Sequence, residues 1–256
     1  MSTKPAESNV KTALRVIEII ELFARETRPL ALSEMARLLD APVSSCLALL
    51  RTLSRQGYIY ETGRRQGYYP TGRLLAMAQR ISQADPILEK VRPSLEELRN
   101  TTQETVVFGK LDLDKKVVYV EVISSPHPIR YVAVAGTQRH VHANSIGKAL
   151  LSQMTLEERT QLLGDGPLEA FTPKTLVSLD SLNADLETSA QRGWYGNMGE
   201  SMSDVGGIAW PIRISGGSYA ISIAGPVYRI EQNLQSYAER LRVACRFIEE
   251  ALKAAQ

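Results

Sequence analysis

The chain has 256 residues, of which 44% are hydrophobic and 23% charged, with a formal net charge of +2. This is the composition of an ordinary globular protein with room for one large or two modest domains, and it argues against a disulfide framework or a disordered chain. No apolar run approaches the roughly 18 residues a membrane span needs, and the first residues lack the apolar segment of a secretory signal, so no membrane partner and a cytoplasmic location are expected.

Residues 12–25, TALRVIEIIELFAR, carry apolar side chains at helical spacing behind Thr12 as cap. Pro29 ends that pattern, and Ser33 stands as cap before EMARLLD, a short second helix. A tight connection at 40–42 leads to a third helix that Ser44 or Ser45 caps and Gly57 ends. The runs YIYE and GYYPT follow, separated by TGRRQ, and read as a β-hairpin with Arg64 and Arg65 at its tip. Three helices and a basic hairpin describe a winged helix-turn-helix. The first 80 residues carry 12 Lys and Arg against 7 Asp and Glu, a modest positive excess that suits a polyanion.

At about 100° per residue, Cys46, Leu49, Leu50 and Leu53 fall on one side of the third helix and Ser44, Leu47, Ala48, Arg51 and Arg55 on the other. The first group packs. The second is placed to enter a DNA major groove, with the serines at base edges or phosphate, Leu47 and Ala48 beside thymine methyls, and the arginines on phosphate. A helical hairpin in a protein-interaction domain has the same periodicity, and the paired arginines of the following hairpin favour DNA over it.

GRLLAMAQRISQA, from residue 72, reads as a linker helix, and Asp85-Pro86 opens another in which Pro93 predicts a kink or break. The grammar then changes to alternation: ETVVFGKLD, KVVYVEVIS and IRYVAVAG read as strands. NSIGKALLSQM, LEERTQLLG and SLDSLNADLETSAQRGW read as helices. VGGIAWPIRI and SYAISIAGPV form a hairpin around residues 215–217, and a long helix from 231 closes the chain. The expected fold is α+β: a winged helix-turn-helix at 1–71, a linker helix at 72–85, and a domain with an antiparallel sheet at 86–256.

Four stretches, LLRTLSRQGYIY, HANSIGKALL, FTPKTLVSLDSLNADLETSAQRGW and GGIAWPIRISGGSYAISIAGPVYRI, make the chain resemble the IclR family of bacterial transcriptional regulators over almost its full length. The resemblance implies a winged domain that binds double-stranded operator DNA, a GAF-like C-terminal domain that binds a small organic acid effector, and a homodimer or homotetramer. Carried over by position, the effector pocket falls on Tyr131, Ser145, Ile146, Asn197, Gly207, Ser222 and Ala224, with Trp210 nearby. Leu47 and Ala48 stand where many members have polar or basic residues, so the operator is this chain's own. Asn197 and Gly207 stand where relatives binding small keto acids have aspartate and cysteine, which points to room for an aromatic or branched acid.

The chemistry of the pocket residues supports that placement. Ser145 and Ile146 open a helix whose first N–H groups suit a carboxylate, and alternation puts Ala220, Ser222 and Ala224 on one strand face opposite Tyr219, Ile221 and Ile223. Effector binding is expected to change the relative placement of two winged domains through the linker helix. The competing readings are an enzyme acting on a small acid through the C-terminal domain and a sensor whose winged domain binds protein. No nucleophile or acid-base pair favours the enzyme, so none is expected. His140 and His142, two apart, lack partners at ligand spacing, and no phosphate-binding glycine loop is present, so neither a metal nor a cofactor is expected. Cys46 and Cys245 lie in helical patterns far apart and read as buried thiols.

Overall fold

The structure is a computed structural model that describes residues 10–63 and 66–253. It divides into two compact units, Met1–Asp85 and Pro86–Gln256.

In the first unit, α1 (Lys11–Glu26), α2 (Leu32–Leu38) and α3 (Val43–Arg55) precede a hairpin of β1 (Ile59–Glu61) and β2 (Tyr68–Pro70), and α4 (Gly72–Gln83) follows. Ile19, Leu22 and Phe23 of α1, Met35 of α2, and Leu50 and Leu53 of α3 bury one core together with Leu30 and Ile59. Leu30 also bridges Tyr68, extending the hairpin by one antiparallel residue pair. The backbone there runs so close that a Cβ on Gly67 would lie 2.7 Å from the Leu30 carbonyl, so only glycine serves.

The serines expected as caps are not caps. The helices begin earlier, with Val10, Ala31 and Pro42 at the N-cap positions and no side-chain cap at any of them. Thr12, Ser33, Ser44 and Ser45 therefore fall inside the first turns, where their side chains are exposed. Entry of the chain through Pro42, fixed near φ −57°, sets the start of α3 ahead of the serine preference. Arg64 and Arg65 lie outside the described residues. Thr71 caps α4 through its hydroxyl, which accepts from Arg73 N and donates to the Gly57 carbonyl at 2.7 Å. Arg73 in turn donates to the Gln56 carbonyl and lies over the Tyr58 ring, so the start of α4 is tied to the end of α3.

The second unit opens with α5 (Pro86–Thr102), which runs unbroken through Pro93. Then come β3 (Thr105–Leu111), β4 (Val117–Ile123), β5 (Gln138–Arg139), α6 (Ser145–Leu151), α7 (Leu156–Leu163), α8 (Leu179–Arg192), β6 (Tyr195–Met198), β7 (Val205–Ile214), β8 (Gly217–Pro226) and α9 (Val227–Lys253). Six strands form one antiparallel sheet in the order β5-β4-β3-β8-β7-β6. Ser215 and Gly216, both at positive φ, make the two-residue turn between β7 and β8, the geometry that matches strand twist.

Period-two alternation divides the sheet between two cores. Val106 and Phe108 of β3 and Ile221 and Ile223 of β8 face α5 and α9, while Val107, Ala220 and Ala224 face α6 and α8. The stretch expected as a strand at 129–136 forms no ladder and meets β4 only where Gly136 N donates to the Tyr119 carbonyl at 2.7 Å. Its alternation is real, with Tyr131 buried and Val132 and Val134 exposed, but no ladder forms, and the short β5 takes the edge instead. Strand β6, in a stretch that the sequence reading left unassigned, completes the other edge.

Phe108 is fully buried and stacks on Tyr219 at 5.0 Å between centroids. Phe108→Ala is expected to destabilise the protein by about 3–5 kcal/mol, read from the shift of the urea midpoint at unchanged slope.

Candidate functional site

The two units each carry one arrangement with chemical potential. On α3, Cys46, Leu50 and Leu53 are buried, Ser44, Ser45, Ala48, Arg51 and Arg55 are exposed, and Leu47 is half-buried. Neither Arg51 nor Arg55 makes an ion pair with another described residue. Asp40, at φ 45°, makes the left-handed turn that swings α3 away from α2. The face presented is thus short polar side chains at the start, two small apolar ones in the middle and two free cations behind. Ser33 is also exposed, at the second position of α2.

In the second unit, Tyr131, Ser145, Ile146, Asn197, Gly207, Ser222 and Ala224 converge on one enclosed cavity. Trp210 does not join them: it packs near Tyr195 and borders a separate surface cleft with Gln153 and Pro211. Tyr119, Asn144, Val107, Ser201, Val205 and Gly206 also line the cavity and were not read from sequence. Alternation along 117–123 puts Tyr119 inward with Val117, and asparagine before SIGKALL is a strong N-cap signal, so those two were findable.

Two expectations about this cavity are corrected. The first N–H groups of α6 are not open to a carboxylate, because the Asn144 side-chain oxygen accepts from Ile146 N at 2.9 Å and Gly147 N at 3.3 Å. Nor is there spare room at Gly207, where an added Cβ would lie 3.1 Å from Ser145 Oγ and 3.5 Å from Ser222 Oγ. The free volume is about 20 Å³, space for roughly one water.

The polar groups are tied to one another. Ser145 and Ser222 share a hydrogen bond of 2.9 Å across α6 and β8. The Asn197 amide donates to the Ala143 carbonyl and to Ser201 Oγ, and its oxygen accepts from Glu200 N, which ties the 199–204 turn to the segment before α6. Asn144 donates to the Tyr119 hydroxyl at 3.0 Å, and that hydroxyl meets Tyr131 at 3.2 Å.

Behind the cavity, α6 is buried along its whole length. A Cβ on Gly147 would lie 2.0 Å from the Val141 carbonyl, so the helix seats directly on backbone. Lys148 is fully buried, with its ammonium 2.6 Å from Glu200 and 2.9 Å from Asp185 of α8. Burial pushes the Glu200 carboxyl above its ordinary range, while the lysine pulls it down. His140 and His142 pack against Phe171 rather than around a common point, and no group of three ligating side chains forms among the described residues. Cys46 and Cys245 are free and buried.

The IclR helix-turn-helix domain model matches residues 12–63, and the model of the bacterial transcriptional regulator IclR C-terminal domain matches residues 79–250. The chain belongs to the IclR family. It is 30% identical to the transcriptional repressor IclR of Escherichia coli strain K12 over 234 residues, 90% of this chain and 85% of that one. An IclR transcriptional regulator from Alicyclobacillus acidocaldarius shares the fold with a TM-score of 0.78 at 19% identity, covering 95% of this chain and 99% of that one. An IclR homologue from Microbacterium hydrocarbonoxydans, solved in complex with 4-hydroxybenzoate, matches with a TM-score of 0.77 at 25% identity over 95% of this chain and 99% of that one. The protein is thus an IclR-type transcriptional regulator with a helix-turn-helix DNA-binding domain and an α+β effector-binding domain. Its relatives are regulators and not enzymes, and no described helix is long and apolar enough to cross a membrane.

Lys148→Met removes the cation between the buried Glu200 and the half-buried Asp185. The expected loss of stability is about 3–5 kcal/mol by urea unfolding, whereas a surface lysine substituted in the same way changes little.

Proposed function

We propose that residues 1–71 read operator DNA through the exposed face of α3, that 72–85 transmit, and that 86–256 sense a small organic acid in the cavity beneath Tyr119 and Tyr131. The observation that carries the DNA reading is the pair of exposed cations, Arg51 and Arg55, which make no ion pair with a described residue and lie one turn apart behind the exposed Ser44, Ser45 and Ala48. Spacing of this kind suits phosphate contacts that fix the register while Leu47 and Ala48 meet thymine methyls. Ser33 and the wing arginines Arg64 and Arg65 would extend the phosphate contacts. Binding duplex DNA places the protein in the cytoplasm of a bacterium.

The acid reading rests on the cavity's character: two tyrosines, short hydroxyls and amides over the apolar walls of Val107, Ile146 and Val205. Aromatic acids are the first class to try, since a relative binds 4-hydroxybenzoate. An acid of that size needs the cavity to open. Tyr131 sits on the segment that lacks a strand ladder; Thr105 holds its carbonyl and Tyr119 and Arg139 its hydroxyl, so this wall opens by exchanging side-chain hydrogen bonds without breaking a ladder. Ligand affinity that differs between the open and closed arrangements is what shifts DNA binding.

A two-fold operator calls for a homodimer or a tetramer built from dimers. Val10, Leu14 and Ile17 make an exposed apolar stripe on α1, and Leu75, Met77 and Ile81 are exposed on α4, the surface a second copy would cover.

Fluorescence anisotropy of full-length protein on the promoter upstream of its own gene tests the DNA reading. Arg51→Ala and Arg55→Ala are each expected to weaken binding across sequences and to lower the slope of log affinity against log salt by about one. Unchanged slopes would point to a protein partner instead. For assembly, Leu75→Glu with Ile81→Glu is expected to lower the mass seen by light scattering; an unchanged mass would place the interface elsewhere.

A further inference from the structure

The hydrogen bonds around Tyr119 and Tyr131 leave one proton over. Asn144 is oriented without ambiguity, because its oxygen accepts from two backbone N–H groups at the start of α6, so its NH2 faces Tyr119 as a donor. At the other end, Arg139 donates from Nε to the Tyr131 hydroxyl at 3.3 Å, and a guanidinium has no acceptor to offer. Both ends of the phenol pair therefore receive protons. Two phenols bring two protons of their own, and the bond between them uses one. The second has no acceptor among the described residues, although both side chains are buried, at 3% and 8% exposure. Burial holds the Tyr119 phenol well above its ordinary value, so it does not lose that proton at neutral pH.

The buried serines beside them differ, and Ser201, whose hydroxyl accepts from Asn197, is half-exposed rather than enclosed. Ser145 and Ser222 bond to each other, and Ser222 has the Ile223 carbonyl as a further acceptor, so that pair closes on itself. Asn197 has likewise spent both of its amide protons. Tyrosines lining the cavity thus supply a donor that the protein does not use.

We propose that the Tyr119–Tyr131 pair is the subsite that reads the carboxylate of the effector, and that Arg139 is its positioning residue. This rests on the acid-sensing reading above. An anionic oxygen accepts the surplus phenolic proton, and the cation behind Tyr131 orders the donor direction and lies over the Tyr119 ring at 5.8 Å. Cavity-lining side chains other than these two tyrosines carry no titratable group. The carboxylate is met by polarised phenols, with its counter-charge one residue removed.

The proton count makes an unusual prediction. After Tyr119→Phe, Tyr131 still accepts from Arg139 and keeps a free proton; after Tyr131→Phe, Tyr119 still accepts from Asn144 and keeps one. Each single variant therefore retains a donor, and only the double variant has none. Calorimetric titration of full-length protein with benzoate and 4-hydroxybenzoate is expected to show about threefold weakening or less for each single variant and at least about tenfold for the double. Arg139→Met is expected to weaken both acids several-fold with an unchanged thermal transition, and Arg139→Lys to recover most of the loss. In the wild type, adding benzoate should shift the tyrosine absorption band to longer wavelength as a phenol donates to the carboxylate.

A double variant that is folded and binds as tightly as wild type overturns the proposal, as does wild-type binding with no spectral shift, which needs no variant. Equal affinity of Arg139→Met and wild type removes Arg139 from it. If neither acid binds the wild type, the aromatic-acid reading of the pocket fails first and this subsite with it.

Discussion

Asn144 fixes, at a single amide, the register between the start of α6 and the wall that shares its core. Its oxygen closes the start of α6, and its nitrogen holds the Tyr119 hydroxyl. One planar amide thereby couples the orientation of a buried helix to that of the polar wall facing it. The coupling is rigid because both ends are buried, where a lost hydrogen bond is not replaced by water. The seating of α6 follows from the same economy of space. Gly147 lets the helix rest on the Val141 carbonyl, and Lys148 beside it finds Asp185 and Glu200 inside the protein.

That arrangement explains why the pocket reads as it does. Helix α6 is the floor of the cavity, the sheet strands β3, β7 and β8 are its roof, and the turn at 199–204 closes one side. Asn197 is committed to holding that turn and Ser145 to Ser222, so the groups that family resemblance singles out are mostly structural in this arrangement. The phenols with a proton to spare lie opposite, on β4 and the segment after it. A wall that lacks a strand ladder and carries the spare donor, set against the buried α6, is where a ligand would act, since a ligand shifts an equilibrium only through interactions that differ between its states.

Much of this was legible from sequence, and the failures have separate causes. Helices α1, α3, α8 and α9 announced themselves by period, and the β7–β8 hairpin by its strands and glycine turn. The segment around Tyr131 was read as a strand because it alternates, but alternation reports an extended backbone, and pairing requires an edge to be free at the right place. The serines before α2 and α3 have the right chemistry for caps; the chain enters those helices earlier, so the preference had nowhere to act. Trp210 was placed near the pocket by its position in the hairpin, whereas its ring packs beside Tyr195.

By itself, the sequence determined the two-unit plan, the outward face of α3, and the strand face on which Ser222 and Ala224 lie, because helical and strand periods are local properties of the chain. Tertiary structure decided what those residues have to give. Whether a donor is spent or free depends on partners from elsewhere in the chain: Arg139 against Tyr131, Asn144 against Tyr119, Asp185 and Glu200 around Lys148. No local pattern encodes such meetings, since burial with a partner and burial without one look identical in the residue letters, and only the folded contacts separate them.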